Sequence, residues 1–116
     1  MIISLIRLHA VPQKRQELVQ TLLSMKDEVR ERRGCLGYYL YQDLEDEDLI
    51  GLVEEWESQE AFEAYFRSGL FRAFVGATAL LSKSRHMQYN VVSQMDADEV
   101  IRPKEESYPQ KSDSTP

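Results

Sequence analysis

Cysteine occurs once in the 116 residues, as Cys35, so neither a disulfide framework nor a cysteine-ligated zinc site can be built. Basic residues are in the minority, 14 Lys and Arg against 20 Asp and Glu, and the net charge of -6 is the wrong sign for neutralising nucleic-acid phosphates or docking on an anionic membrane. No stretch approaches the roughly 20 apolar residues of a membrane-spanning helix. The apolar start, Met1 to Leu5, is followed at once by Ile6 and Arg7, with no basic lead and no small-residue cleavage pattern, so no export signal is read and a cytoplasmic location is expected. The only histidines, His9 and His86, are far apart and accompanied by no paired-carboxylate motif, so no metal site is expected. A glycine-rich phosphate loop and a Ser-His-Asp signature are also missing.

Of the residues present, 42% are hydrophobic and 29% charged, which suits one soluble globular domain. Ile2 to Val11 is rich in branched residues and stops at Pro12, as a strand does. Leu18, Leu22, Met25 and Val29 then recur at helical spacing within Gln13 to Arg33, and Gly34 offers a left-handed stop. Leu36–Gln42 and Leu49–Glu57 flank an acidic turn and predict an antiparallel hairpin. Ser58 offers an N-cap to a second helical stretch, Gln59 to Leu81, which Ser68-Gly69 should bend. Arg85 to Met95 completes a β-α-β-β-α-β order, the α+β ferredoxin-like plan with a four-stranded antiparallel sheet and helices on one face. Residues 1–95 are the expected domain. Residues 96–116, polar and carrying three of the four prolines, are an expected flexible tail, with Val100, Ile101 and Tyr108 as its only candidates for docking on a neighbour.

The sheet has a second face to cover. Ile2, Ser4, Ile6, Leu8 and Ala10 alternate onto one side of the first strand, yet Ile3, Leu5 and Val11 on the other are also apolar. Two helices cover one face only, so an identical subunit is the economical cover for the other, and a homodimer with facing sheets is expected.

Gly34-Cys35-Leu36-Gly37-Tyr38, then Val53-Glu54-Glu55-Trp56-Glu57-Ser58, then Glu60 to Phe74 with its Ala61-Phe62-Glu63-Ala64-Tyr65-Phe66 core, occur in the order seen in the antibiotic biosynthesis monooxygenase domain family, which residues 1–95 resemble. The resemblance implies a dimeric α+β barrel with a pocket between sheet and helices, whose sheet wall includes Trp56. It also implies a range of activities: oxidation of anthrones or quinols without metal or flavin, haem degradation, and isomerisation of a phosphorylated sugar. Three departures from relatives stand out. Tyr65 occupies a position where many carry histidine. Ile6, Tyr65 and Val75 fall near the asparagine, tryptophan and iron-ligating histidine of the haem-degrading branch, which argues against that chemistry. Leu52 stands where aromatic polyketide oxygenases place an asparagine.

The expected function is therefore cofactor-independent monooxygenation of a small aromatic hydroquinone or anthrone-like compound. Tyr65 and Trp56 are the catalytic candidates, through hydrogen bonding and stacking. Phe62, Phe66, Leu52, Glu54, Ile6 and Phe74 are the candidate substrate contacts, and no cofactor is called for. Tyrosine, with a pKa near ~10, is a poor base at neutrality. Glu54 is the one acidic residue on the pocket face; pairing with an arginine such as Arg67 or Arg72 is expected for it, a buried base being the alternative. His9 is expected at an interface or rim, and Cys35 as a small buried residue. The competing functions are a non-catalytic small-molecule-binding or stress-related domain and an isomerase of a small metabolite.

Overall fold

Strict alternation places Ile2, Ser4, Ile6, Leu8 and Ala10 on the buried side of β1 (Ile2–Ala10), and this strand is the second from one edge of the sheet. In the structure, a computed structural model that describes residues 1–93, β2 (Cys35–Gln42), β3 (Leu49–Trp56) and β4 (Ser82–Val91) complete a four-stranded antiparallel sheet in the order β2-β3-β1-β4. The fold is α+β and ferredoxin-like, with the helices on one face. The expected tail, together with Gln94 and Met95 of the expected last strand, lies outside the described residues.

The first crossing begins with a 3-10 turn at Pro12–Lys14 and is divided at Met25 into α1 (Arg15–Ser24) and α2 (Lys26–Arg30), where a single helix was expected. Leu18, Leu22 and Val29 from it are fully buried. Each such side chain removed from water stabilises the fold by about 1.5–3 kcal/mol. Tyr38 Oη donates a 2.8 Å hydrogen bond to the Leu22 carbonyl, tying α1 to the edge strand β2. Gly34 takes φ +84°, the left-handed stop its position predicts, and a Cβ there would collide with the Ala61 side chain.

The second crossing comprises α3 (Gln59–Phe66) and α4 (Gly69–Leu81), broken where Ser68-Gly69 predicts. Ser68 causes the break: its hydroxyl donates to the Tyr65 carbonyl at 2.6 Å and accepts from the Phe71 N–H at 3.1 Å, closing α3 and capping α4. Ser58 caps α3 in the same way, accepting from the Ala61 N–H at 3.1 Å.

β4 begins at Ser82, three residues before the sequence places it. Ser-Lys-Ser has the composition of a loop, but the buried Ser82 hydroxyl donates back to the Thr78 carbonyl and Ser82 pairs with Ala10, so the chain passes from α4 into the sheet with no connection between them. Ile3, Leu5, Val53 and Tyr39 stand on the other side of the sheet from the helices, in neighbouring register positions. No helix among the described residues is long and apolar enough to cross a membrane.

Candidate functional site

Alternation along β3 sends Ile50, Leu52, Glu54 and Trp56 toward the helices, and all four are buried. Glu54 is 0% exposed. No arginine meets it: Arg67 lies 3.9 Å from Glu63 and Arg72 donates to the Arg67 carbonyl, so the expected Glu54–arginine pair does not form. Both arginines are exposed, Arg67 just past the end of α3 and Arg72 on α4, whereas Glu54 looks into the sheet–helix interior. What meets it there is Tyr65, whose hydroxyl donates to Glu54 Oε2 at 3.0 Å.

A carboxyl without a cation in an apolar interior resists ionisation. Burial drives the Glu54 pKa up to about 7, against smaller opposing effects of the Tyr65 hydroxyl and the Trp56 indole. Burial also raises the Tyr65 hydroxyl far above its ordinary value, reinforced by the neighbouring Glu54 charge, so Tyr65 stays a donor and Glu54 is the group that can change protonation state at neutral pH.

The surroundings hold this pair in place. Trp56 stacks on Tyr65 at 4.8 Å between ring centroids, Phe71 meets Tyr65 edge-on at 5.4 Å, and the Arg32 guanidinium lies 5.9 Å from the Tyr65 ring centre. Three polar atoms beside the pair are buried without a hydrogen-bond partner among the described residues: Glu54 Oε1, Trp56 Nε1 and Ser4 Oγ. They are neighbours by construction, since Ser4 pairs with Glu54 across β1 and β3 and Trp56 follows two residues on. The indole N–H is near enough to the carboxyl to favour its ionised form, but does not reach hydrogen-bond geometry with it. An acceptor, a donor and a hydroxyl that can be either are thus gathered in one interior spot. That set complements a ligand hydroxyl or its anion.

Next to it is a cavity of about 190 Å³ between the sheet and α4, walled by Ile6, Leu8 and Met87 from the strands and Phe71, Phe74 and Thr78 from the helix. Ile6 follows Ser4 by two residues on the same face, about 6–7 Å along the strand, so the cavity lies one register row from the polar cluster, whose own residues are not in its wall. Phe71 belongs to both, touching Tyr65 and lining the cavity.

The structure therefore gathers Trp56, Tyr65, Glu54 and Leu52 in the closed interior and puts Ile6 and Phe74 on the cavity wall. Phe62 is buried and packs on Tyr89 at 4.8 Å. Phe66 departs from its expected pocket position: it is 47% exposed, because the buried face of α3 is centred on Phe62 and Tyr65 and leaves Phe66 at the margin, against Phe62 and Phe71. Sequence reasoning missed Ser4, whose alternation with Ile6 is the signal that would have found it, and Phe71 and Thr78, which continue the α4 stripe. His9 sits on the opposite face, 2.9 Å from Asp46 at the rim. The half-buried Cys35 thiol is pushed up by burial and donates weakly to the Gly37 carbonyl at 3.6 Å, so it is not a poised nucleophile. Among the described residues no group of three or more His, Cys, Asp or Glu side chains could hold a metal ion.

The family profile of the antibiotic biosynthesis monooxygenases matches residues 1–77. The chain belongs to that family. Solved members of the same fold superpose closely. A Deinococcus radiodurans protein described as a candidate antibiotic biosynthesis monooxygenase gives a TM-score of 0.78 at 21% identity, covering 83% of this chain and 96% of its own. A Mycobacterium tuberculosis protein gives 0.74 at 19% identity, covering 81% and 96%. A conserved Methanosarcina mazei protein gives 0.72 at 23% identity, covering 77% and 89%. At these identities the likeness is one of fold. Among curated proteins, none matches the sequence.

Proposed function

We propose that this antibiotic biosynthesis monooxygenase family member oxidises a small anthrone- or hydroquinone-like aromatic compound with dioxygen, with Glu54 as the proton acceptor. The observation that carries this is the buried carboxyl near neutrality, hydrogen-bonded to Tyr65 on one oxygen and unpartnered on the other, beside unpartnered Trp56 Nε1 and Ser4 Oγ. Trp56 and Tyr65 act on this reading as positioning groups: Tyr65 holds the carboxyl, and Trp56 offers its N–H to the substrate oxygen.

The substrate supplies the electrons. Its rings lie in the apolar cavity and its enolic or phenolic hydroxyl faces Glu54 Oε1, which accepts the proton. Trp56 Nε1–H and the Ser4 hydroxyl then stabilise the resulting anion in a site shut off from water. For an anthrone, the electron-rich anion passes one electron to dioxygen, and the substrate radical and superoxide combine to form a C–O bond. The peroxide anion recovers the proton from Glu54. Loss of the remaining hydrogen on that carbon breaks the O–O bond, leaving a carbonyl and releasing water, so that CH₂ and O₂ become C=O and H₂O.

The protein is proposed to work as a homodimer. Ile3, Leu5, Val53 and Tyr39 form an apolar patch on the sheet face away from the helices, and a second copy is the simplest cover for it.

The test is oxygen uptake with anthrones and naphthohydroquinones, corrected for autoxidation, in the wild type and Glu54→Gln. Enzyme-dependent uptake that falls by about 10²-fold or more in the variant is expected, the contribution typical of a positioned base. A Glu54→Gln protein that turns over at the wild-type rate contradicts the assignment. Failure of every substrate to react, with naphthol analogues still binding, favours the second reading: a binding domain without turnover, supported by a site tyrosine that burial keeps protonated.

A further inference from the structure

The cavity has a charged end that the proton-transfer reading leaves unused. Arg85 faces the helix side of β4, paired in register with Leu8, and lines the cavity, whose wall is otherwise apolar but for Thr78. One guanidinium nitrogen, Nη1, is tethered to α4, donating at 3.3 Å to the Val75 carbonyl and at 3.3 Å to Thr78 Oγ1. The other guanidinium nitrogens make no hydrogen bond, and no carboxylate lies within ion-pairing distance of Arg85 among the described residues.

The two ends of the site differ in charge. Ser4 and Glu54 occupy one register row of the sheet, Ile6 and Met87 the next, and Leu8 and Arg85 the one after. Two rows at two residues each separate the proton-accepting end from the cation by about 13 Å along the strand direction, with apolar wall between. A cavity of about 190 Å³ is below the roughly 300 Å³ at which pockets for drug-sized ligands begin, so it favours the smaller aromatic compounds, with any larger ring system reaching out past its open side.

We propose that Arg85 is a carboxylate-binding, specificity-determining residue, and that the substrate is a small hydroxylated aromatic acid with its hydroxyl toward Glu54 and its carboxylate at Arg85. This rests on the site reading above and adds the substrate class to it. Thr78 and the Val75 carbonyl of α4 hold the guanidinium so that its free edge presents the parallel N–H groups that a carboxylate accepts.

The test separates the anion subsite from the site itself. 6-Hydroxy-2-naphthoate and 2-naphthol differ only in the carboxylate, neither needs to turn over, and their affinities are measured by quenching of Trp56 fluorescence. The wild type binds the acid about tenfold more tightly than the naphthol, Arg85→Gln reduces that preference to about twofold or less, and Arg85→Lys keeps part of it. A merely structural role for Arg85 would weaken both ligands alike. Equal affinity for the two in the wild type, or an undiminished preference in Arg85→Gln, overturns the carboxylate subsite and leaves the cavity reading standing. Binding of neither overturns both.

Discussion

The Tyr65 hydroxyl and Glu54 Oε2, 3.0 Å apart in a region closed to solvent, join the second helical crossing to the middle of the sheet. A buried carboxyl this costly is retained most simply for its chemistry. Its protonation state, the stability of the fold and the reactivity of the site are linked through one group.

Stability falls as pH rises through the window set by that group. The Glu54 pKa goes from an ordinary 4.5 to about 7 on folding, so the folded state holds its proton more tightly than the unfolded chain. The benefit is full below the unfolded value, is lost progressively across the window between the two values, and is gone above the folded one, a change of about 3 kcal/mol. Urea titrations at a series of pH values measure it. Glu54→Gln should flatten this dependence and exceed the wild type in stability under alkaline conditions.

Tyr65→Phe removes a donor that favours the ionised carboxylate. The Glu54 pKa rises further, so the acidic limb of activity, where the base gains its proton, moves to higher pH, and loss of a buried hydrogen bond costs about 1–3 kcal/mol. A pH–rate profile and a denaturation curve on the same preparation check both. An unmoved profile would mean that the hydrogen bond does not tune the carboxyl.

Much of this arrangement is legible in the sequence. Strict alternation places Glu54 and Trp56 on the helix-facing side of β3, and Gly34 and Ser68-Gly69 mark their turns because only a left-handed stop and a double cap suit them there. The partner of Glu54 was not legible. Local spacing makes an arginine as near as a tyrosine, and only the way α3 lies on the sheet turns Tyr65 inward and Arg67 outward. Phe66 shows the same limit: i, i+3 and i+4 share a face, but where a short helix meets the sheet decides which of the three is at its margin. The early start of β4 was hidden because Ser-Lys-Ser carries no strand signal of its own, its place being set by Ser82 capping α4 and pairing with Ala10.

Gly34→Ala tests the connection ahead of β2. The residue adopts φ +84°, and its new methyl would strike the Ala61 side chain, so the variant should lose at least about 1–3 kcal/mol. The urea midpoint measures the loss. Ala61→Gly in the same chain should recover only the steric part, since the backbone strain remains.

Leu5→Lys places a charge in the middle of the uncovered sheet face, where Leu5 pairs with Val53 and Gln88. If a second copy covers that face, the wild type has the mass of a dimer by light scattering at micromolar concentration, and the variant has that of a monomer with an unchanged far-ultraviolet spectrum. A monomeric wild type would remove the case for facing sheets.

The most direct test is the titration of the Glu54 carboxyl itself, followed by carbon-13 NMR in protein labelled at glutamate, with Glu54→Gln to identify the signal. One glutamate resonance titrating with a midpoint near about 7, and moving upward in Tyr65→Phe, is the predicted result. A midpoint in the ordinary carboxylate range would contradict it, since a carboxyl already fully ionised and solvated at neutrality is not the poised proton acceptor on which the proposed oxygenation depends.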